Sequence, residues 1–203
     1  MDWSDIVRSR RMCRDYEDRP VDPVALDRIL DQARHVPSAG FSQGIDFVVL
    51  EGADTARFWD QTLPLSARAS FPWPGLLRAP VIVLPIADEA AYLERYSQPD
   101  KAKAGLGERA DAWPVPYWFI DTGMAGMALL YAVVNEGLGA LFFGIFRNEA
   151  ELLDSLGVPA GMRPIGAIAL GHPTPSARAA RREGSTAVRS WRPLDEVVHR
   201  GGW

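Results

Sequence analysis

The spacing of apolar residues divides the chain into short helices and short strands. Over residues 22–35, Leu26, Ile29, Leu30 and Ala33 fall on one face of a helix. Asp22 is placed to cap this helix, and Pro23 to occupy its first position, where a missing N–H costs nothing. Val36-Pro37 ends it, because proline disfavours helical backbone in the residue before it. Residues 37–44 have no apolar period and read as a loop, and residues 47–50 form an apolar run of strand length. Residues 3–10 read as a short helix ending at Arg10-Arg11, and residues 53–66 as a surface helix. An apolar run over 79–87 has the length of a central strand, with Pro85 marking its end or a bulge.

The second half carries the longest helical candidate, residues 117–136, apolar on nearly every side and therefore suited to a core or an interface. Gly137-Leu138-Gly139 breaks it, and residues 140–146 follow as a strand. Asn148 is placed to cap a helix bearing Leu152, Leu153 and Leu156, which Gly157 stops. Residues 163–171 form a last strand. Between 97 and 116 the chain is polar and broken by Gly105, Gly107, Pro114 and Pro116; a loop of that length in a compact domain is usually functional or mobile. Nothing marks an interdomain linker or an internal repeat. The expectation is a single α+β domain over 1–203, in two or three layers, with a core at 1–173, a mobile loop at 97–116 and a basic C-terminal arm at 174–203. Trp191, Pro193, Leu194, Val197 and Val198 make part of that arm apolar enough to require burial.

Composition narrows the partners. A net charge of -4 argues against nucleic acid, which is met by basic proteins. The N-terminus lacks the pattern of a secretory signal, and no stretch reaches the ~20 apolar residues that span a bilayer, so a cytoplasmic protein with no membrane partner is expected. Cys13, the only cysteine, excludes an intrachain disulfide. His35, His172 and His199 show no metal-ligand spacing, so no metal is expected, and Ser38 lies outside any nucleophile elbow.

Against that acidic background, Arg8, Arg10, Arg11 and Arg14 fall within seven residues. Guanidinium groups bind phosphate through paired, charge-assisted hydrogen bonds. The alternative is a solvated face paired with Asp2, Asp5, Asp15 and Glu17. The small residues of the 37–44 loop would let backbone amides approach a flat or anionic ligand, although helix-to-strand loops are often of this kind. The arm adds Arg178, Arg181, Arg182, Arg189 and Arg192. Phe71, Trp73, Trp113 and Trp118 could form a lid over a planar substrate or ordinary core.

Four segments in register carry a resemblance. Ser-Arg-Arg-Met-Cys-Arg-Asp-Tyr (9–16) is similar to the Arg-Arg/His-Ser-x-Arg/Lys-x-Phe motif of the nitroreductase family. Pro-Ser-Ala-Gly-Phe-Ser-Gln-Gly (37–44) is similar to its Ala-Pro-Ser-x-x-Asn-x-Gln-Pro-Trp segment. Residues 119–146 resemble its central helix, Gly-Leu-Gly turn and following strand, and residues 164–173 with 191–199 its last strand and C-terminal arm. The resemblance implies a mainly antiparallel central sheet flanked by helices, in an interlocked homodimer whose C-terminal arms lie on the partner. It implies FMN bound between the subunits, with Arg10, Arg11 and Met12 along the phosphate and ribityl chain and Arg14 near the pyrimidine edge. Pro37, Ser38, Ala39, Gly40 and Gln43 would lie at the ring system, and Phe142, Phe143 and Gly144 against another side. Arg189 or Arg192 would reach the phosphate. Phe41, Phe71, Trp73 and Trp113 would line the substrate pocket.

The implied activity is hydride transfer from NAD(P)H through the flavin to an electron-poor acceptor such as a nitroaromatic or quinone, in ping-pong order, with no side chain required as a catalytic acid. Three departures stand out: Phe41 replaces the family's usual Asn, Gly44-Ile45 its Pro-Trp, and Met12 its Ser. They leave room for a specialised flavoprotein of the same fold (flavin-fragmenting, dehalogenating or deazaflavin-linked). Two further readings are a flavin-binding protein without turnover and an interaction domain without flavin.

Overall fold

The computed structural model describes residues 1–179 and 190–203. Its frame is an antiparallel sheet of β1 (Ile45–Glu51), β2 (Val81–Ala87), β3 (Gly139–Phe143), β4 (Arg163–Pro164) and β5 (Ala167–Gly171). The strand order is β1-β2-β5-β3, with β4 pairing to the far end of β2. Side chains alternate across a strand, so each face of the sheet gathers its own core. Ile82, Leu84 and Ile86 join Leu141 and Ala169 against Phe58 and Trp59 of α3 (Thr55–Thr62) and Leu152 of α7 (Glu149–Ser155). Val81 and Val83 join Ala140, Ile168 and Leu170 against Leu26 and Ile29 of α2 (Pro23–Arg34) and Leu129 and Val133 of α6 (Tyr117–Asn135). The α+β class is as expected, and the layers are three.

Most elements fall where the apolar pattern puts them, and the differences have local causes. α1 spans Trp3–Ser9. Asp22 caps α2 by accepting the Val24 N–H at 3.0 Å, with Pro23 first in the helix. The surface helix expected over 53–66 is instead a turn at Gly52–Asp54, α3, and α4 (Leu65–Arg68), interrupted at Pro64. Its inner face is also buried, at Phe58 and Trp59. Pro85 neither ends β2 nor bulges it. The carbonyl of Pro85 accepts the Ile165 N–H, and a strand residue presents N and C=O to the same side. The missing donor therefore faces the break between β4 and β5, where Gly166 turns at φ 142°. The irregularity expected of Pro85 thus sits in the single strand expected over 163–171, which is two pieces.

β3 stops at Phe143, short of residue 146, because the chain folds back and sets the Phe146 ring against Gly144. Asn148 does not cap α7 with its side chain; it adopts φ 51° and donates its amide to Gln61 O at 2.8 Å, tying α7 to the end of α3. After α6, Gly137 takes the left-handed conformation that ends the helix (φ 72°). Gly139 serves a different need, since a Cβ there would meet the Cys13 and Pro173 side chains. α6 itself is long and apolar enough to cross a membrane by length and composition, correcting the expectation that no stretch comes close; about half of it is buried inside the fold.

The 97–116 segment follows α5 (Glu89–Ser97) and has only short 3-10 turns, but it carries its own anchor. Trp113 is buried with Tyr92 and Trp118 in a third cluster and donates Nε1–H to Leu106 O at 2.8 Å. The arm begins with α8 (Pro175–Ala179) and later forms a turn at Leu194–Glu196. Trp191 is 78% exposed and Leu194 70%, so within one chain the arm does not find the burial its composition requires.

Leu129 is fully buried between the sheet and α2. Replacing it with Ala should cost about 2–5 kcal/mol of folding stability. Urea unfolding followed by far-UV circular dichroism will measure this as a lower midpoint at unchanged slope.

Candidate functional site

The arginine segment is an extended strip on the open edge of β3. Met12 bridges to Ala140 in parallel, the Cys13 N–H donates to Ala140 O at 2.8 Å, and Tyr16 pairs with Pro173. Tyr16, fully buried, fixes the strip by donating its hydroxyl towards Cys13 O and Ala169 O at 3.0 and 3.1 Å. Cys13 is sealed beneath it, and burial pushes the thiol pKa up, so the thiolate a nucleophile needs is disfavoured.

The acidic partners offered by the sequence do not engage these arginines. Among the described residues no ion pair joins Arg8, Arg10, Arg11 or Arg14 to a carboxylate. Asp15 is taken by Arg78 and by the Thr174 hydroxyl. Arg11 donates to the carbonyls of Arg8 and Arg10, and Arg14 lies over the Trp73 ring at 5.4 Å. Cations without counter-charges among the described residues, on an acidic protein, are a donor set suited to a phosphate.

The 37–44 loop is a second, separate construction. Gly40, Phe41 and Gln43 have φ of 62°, 58° and 53°, left-handed positions on either side of Ser42 that are costly for the two non-glycines. Ser38 Oγ accepts the Gln43 N–H at 2.9 Å, and the Ser42 hydroxyl donates to Ala39 O at 2.7 Å. From outside, Arg95 donates Nε–H to Gly40 O at 2.8 Å. The carboxylate of Asp121, which is 2% exposed, accepts the Ala39 N–H and the Tyr92 hydroxyl, each at 2.8 Å. The Tyr96 ring closes on Gly40, where a Cβ would lie 2.8 Å from it. The result projects Phe41 outward, 71% exposed.

The two constructions lie at opposite corners of the sheet. The loop enters β1 at Ile45, opposite Ala87, whereas the strip joins β3 at Ala140, level through Leu170 with Val81. Three strand spacings and six residues separate them, about 14 Å across the strands and about 20 Å along them. Within one chain they do not form one site.

The remaining candidates divide further. Phe142 packs on the α2–α6 side of the sheet, and Phe143 on the other, stacked on Trp59 at 5.9 Å, so their side chains cannot both meet one ring. Gly144 follows at the strand end. Phe71 packs against Trp59 and Trp73 in the first core, Trp73 is half exposed beside Arg14, and Trp113 is core of the third cluster. The four aromatics grouped as one pocket therefore divide in two, Phe71 with Trp73 beside Arg14 and Trp113 in the cluster under the Phe41 loop; Phe41 and Trp73 are the two exposed members. Arg192 is engaged by Glu196 within the arm rather than reaching the strip. Arg181, Arg182 and Arg189 lie outside the described residues. A groove of about 630 Å³ lies elsewhere, between α1 and α6, lined by Trp3, Ile6, Met124, Met127 and Tyr131. No group of three or more metal-ligating side chains occurs among the described residues.

Residues 7–172 match the model of the nitroreductase family. The chain is a member of that family. Its fold is shared with a nitroreductase family protein of Streptococcus pneumoniae (TM-score 0.73, 18% identity, 98% of this chain and 100% of that one). The likeness extends to a family protein of Clostridium difficile (TM-score 0.68, 19% identity, both chains covered completely). A protein of Desulfovibrio desulfuricans, provisionally named a nitroreductase and solved in complex with FMN, gives a TM-score of 0.65 at 25% identity, covering 98% and 96%. In sequence, the chain is 26% identical over 85% of its length to a protein of Methanothermobacter thermautotrophicus provisionally named NADH dehydrogenase/NAD(P)H nitroreductase, 78% of which is covered. Membership makes this chain an enzyme of oxidoreductase type.

Asp121, Tyr92, Arg95 and Arg78 are structural partners of the site that the sequence motifs do not mark. A legible signal existed for Asp121, an acid inside an almost wholly apolar helix. The phenol of Tyr92 is pushed above its ordinary pKa of about 10 by burial, then by its hydrogen bond to Asp121 and that carboxylate's charge. Tyr16 is raised in the same direction, chiefly by burial. Folded protein thus keeps protons that unfolded protein releases at high pH, so the contribution is complete below pH 10 and is lost as pH rises beyond it. Tyr92→Phe should reduce the alkaline decline in unfolding free energy above pH 10 by about 1.4 kcal/mol per pH unit. Denaturant titrations of both proteins between pH 9 and 11.5 will check this.

Proposed function

We infer that this chain is an FMN-dependent reductase whose two sites each combine residues from two subunits. The arginine strip, bridged to β3 and with no carboxylate partner among the described residues, carries this reading. Its side chains fit the phosphate end of FMN: Arg10 and Arg11 as phosphate donors beside the Met12 backbone, and Arg14 as a cation against the ring system. The FMN complex of the Desulfovibrio relative supports the choice of cofactor, and the names of the archaeal relatives support NAD(P)H as donor. FMN, when bound, accepts hydride from a nicotinamide and passes electrons to an acceptor. The protein's part is to bind, orient and leave one flavin face open to planar partners.

Opposite corners become one site only if a second copy supplies the other half. The surface for it is a stripe on α6, where Tyr117, Ile120 and Met124 are exposed and Met127, Ala128 and Tyr131 half-buried, continuing into the groove with Trp3. A two-fold axis across this stripe would bring the strip of one subunit towards the 37–41 loop of the other. The apolar arm would then find on the partner the burial it lacks on its own chain. Phe41 of one subunit and Trp73, beside Arg14, of the other would suit a flat, electron-poor aromatic or quinone acceptor, with donor and acceptor coming to the flavin in turn.

Anaerobic spectra test the chemistry. Flavin absorption should bleach with NAD(P)H and return with a nitroaromatic or quinone; bands that never bleach would favour a flavin-binding protein or another donor. Arg10→Ala with Arg14→Ala should weaken FMN binding at least about tenfold while leaving the oligomer folded, and an unchanged affinity would remove the strip from the site. Ile120→Asp should shift sedimentation from dimer to monomer and lose FMN with it, because each half-site would be stranded.

A further inference from the structure

A buried position on a core helix such as 121 ordinarily takes an apolar residue, since burying a carboxylate without a counter-ion is costly. Asp121 is nevertheless buried there, and no cation pairs with it among the described residues. Both of its hydrogen bonds converge on Oδ2, one from the backbone of Ala39 and one from Tyr92. Tyr92 is wholly buried and can aim its hydroxyl nowhere else at lower cost, so it fixes the rotamer of the carboxylate that holds the loop. At the next residue, Arg95 holds Gly40 O, and Arg95 is itself fixed by Asp100 and Gln98. Two consecutive residues of the loop are thus gripped from α6 and α5, just before the left-handed Phe41.

We propose that Asp121, oriented by Tyr92, is a positioning residue that presets the 37–41 loop for its part of the flavin site. The proposal rests on the FMN reading above, and its test separates the two. A carboxylate present only to satisfy the Tyr92 hydroxyl would stabilise the core without governing the loop. One that presets the loop governs both the opening of the Ala39 amide and the affinity for FMN.

The experiment compares wild type with Asp121→Ala, Asp121→Asn and Tyr92→Phe. Hydrogen exchange over residues 37–43 is measured on protein stripped of FMN, and FMN affinity by quenching of flavin fluorescence. Asp121→Ala should speed exchange of the Ala39 amide and weaken FMN binding, each about tenfold or more, as expected for a lost charge-assisted bond. Asp121→Asn keeps an acceptor for Ala39 and should stay within about threefold of wild type in both. Tyr92→Phe should fall between them. Lower melting temperatures in Asp121→Ala and Tyr92→Phe, with exchange and FMN affinity unchanged, would overturn the proposal. Should Asp121→Ala fail to fold, Tyr92→Phe decides by the same two readouts. Wild type that binds no FMN, with faster exchange in Asp121→Ala, would sink the flavin reading while supporting the restraint on the loop. Unchanged exchange overturns the restraint whatever FMN does.

Discussion

Every residue of β2 is buried, and the rest of the structure is arranged around that fact. A strand covered on both faces must present apolar side chains in both directions, and Val81 to Ala87 do so with no polar member. The covering layers are then fixed: α2 and α6 on one side, α3 and α7 on the other. No charged group can enter such a sandwich cheaply, so chemistry is displaced to edges and ends. The arginine strip takes the open edge of β3, and the 37–44 loop takes the corner where β1 begins. Their separation follows from the strand order.

That separation gives meaning to two surfaces that are unfavourable in a lone chain. Guanidinium groups close together, with no ion pair among the described residues, repel one another, which an anion would relieve. An apolar stripe on α6, together with an apolar arm exposed at Trp191 and Leu194, is costly in water, which a second copy would relieve. The 19 residues of α6 are apolar on nearly every side, although only one face packs on the sheet; the other would meet a partner under the proposed function. Read alone, such a helix suits a membrane by length and composition; its packing against β2, β3 and α2 is what distinguishes it from a membrane span.

The sequence disclosed elements better than relations between them. α2 was legible because its cap, its first-turn proline and its apolar stripe agree. So was the end of α6, because Gly137 must adopt positive φ. Pro85 misled because a strand proline's cost depends on what faces its nitrogen, and the break at Gly166 lies 81 positions away in the chain. Asn148 misled because its side chain found a tertiary partner in Gln61. The arginines were legible as a cluster, but whether Asp15 neutralised them turned on Arg78 and Thr174, both distant in sequence. The family resemblance set Phe142 and Phe143 against one side of the cofactor, whereas strand alternation sends their side chains to different cores. Trp113, read as lid or core, is core because its indole N–H is satisfied by Leu106 O.

Phe41 shows how a departure from the family pattern changes what the surrounding structure must do. The position holds φ 58°, and asparagine, the usual residue in the family, enters that region far more readily than phenylalanine. An asparagine would carry part of the turn in its own preference. Phenylalanine carries none of it, and its ring, largely exposed, gains little packing within the chain to compensate. The left-handed turn must then be imposed from outside, at the peptides immediately before it. Ala39 N–H on Asp121 and Gly40 O on Arg95 are those points of restraint. A loop held at this cost displays a flat, largely exposed aromatic ring where an asparagine would display an amide. Under the proposed function, the difference would bear on which acceptors are preferred, while the fold stays the same.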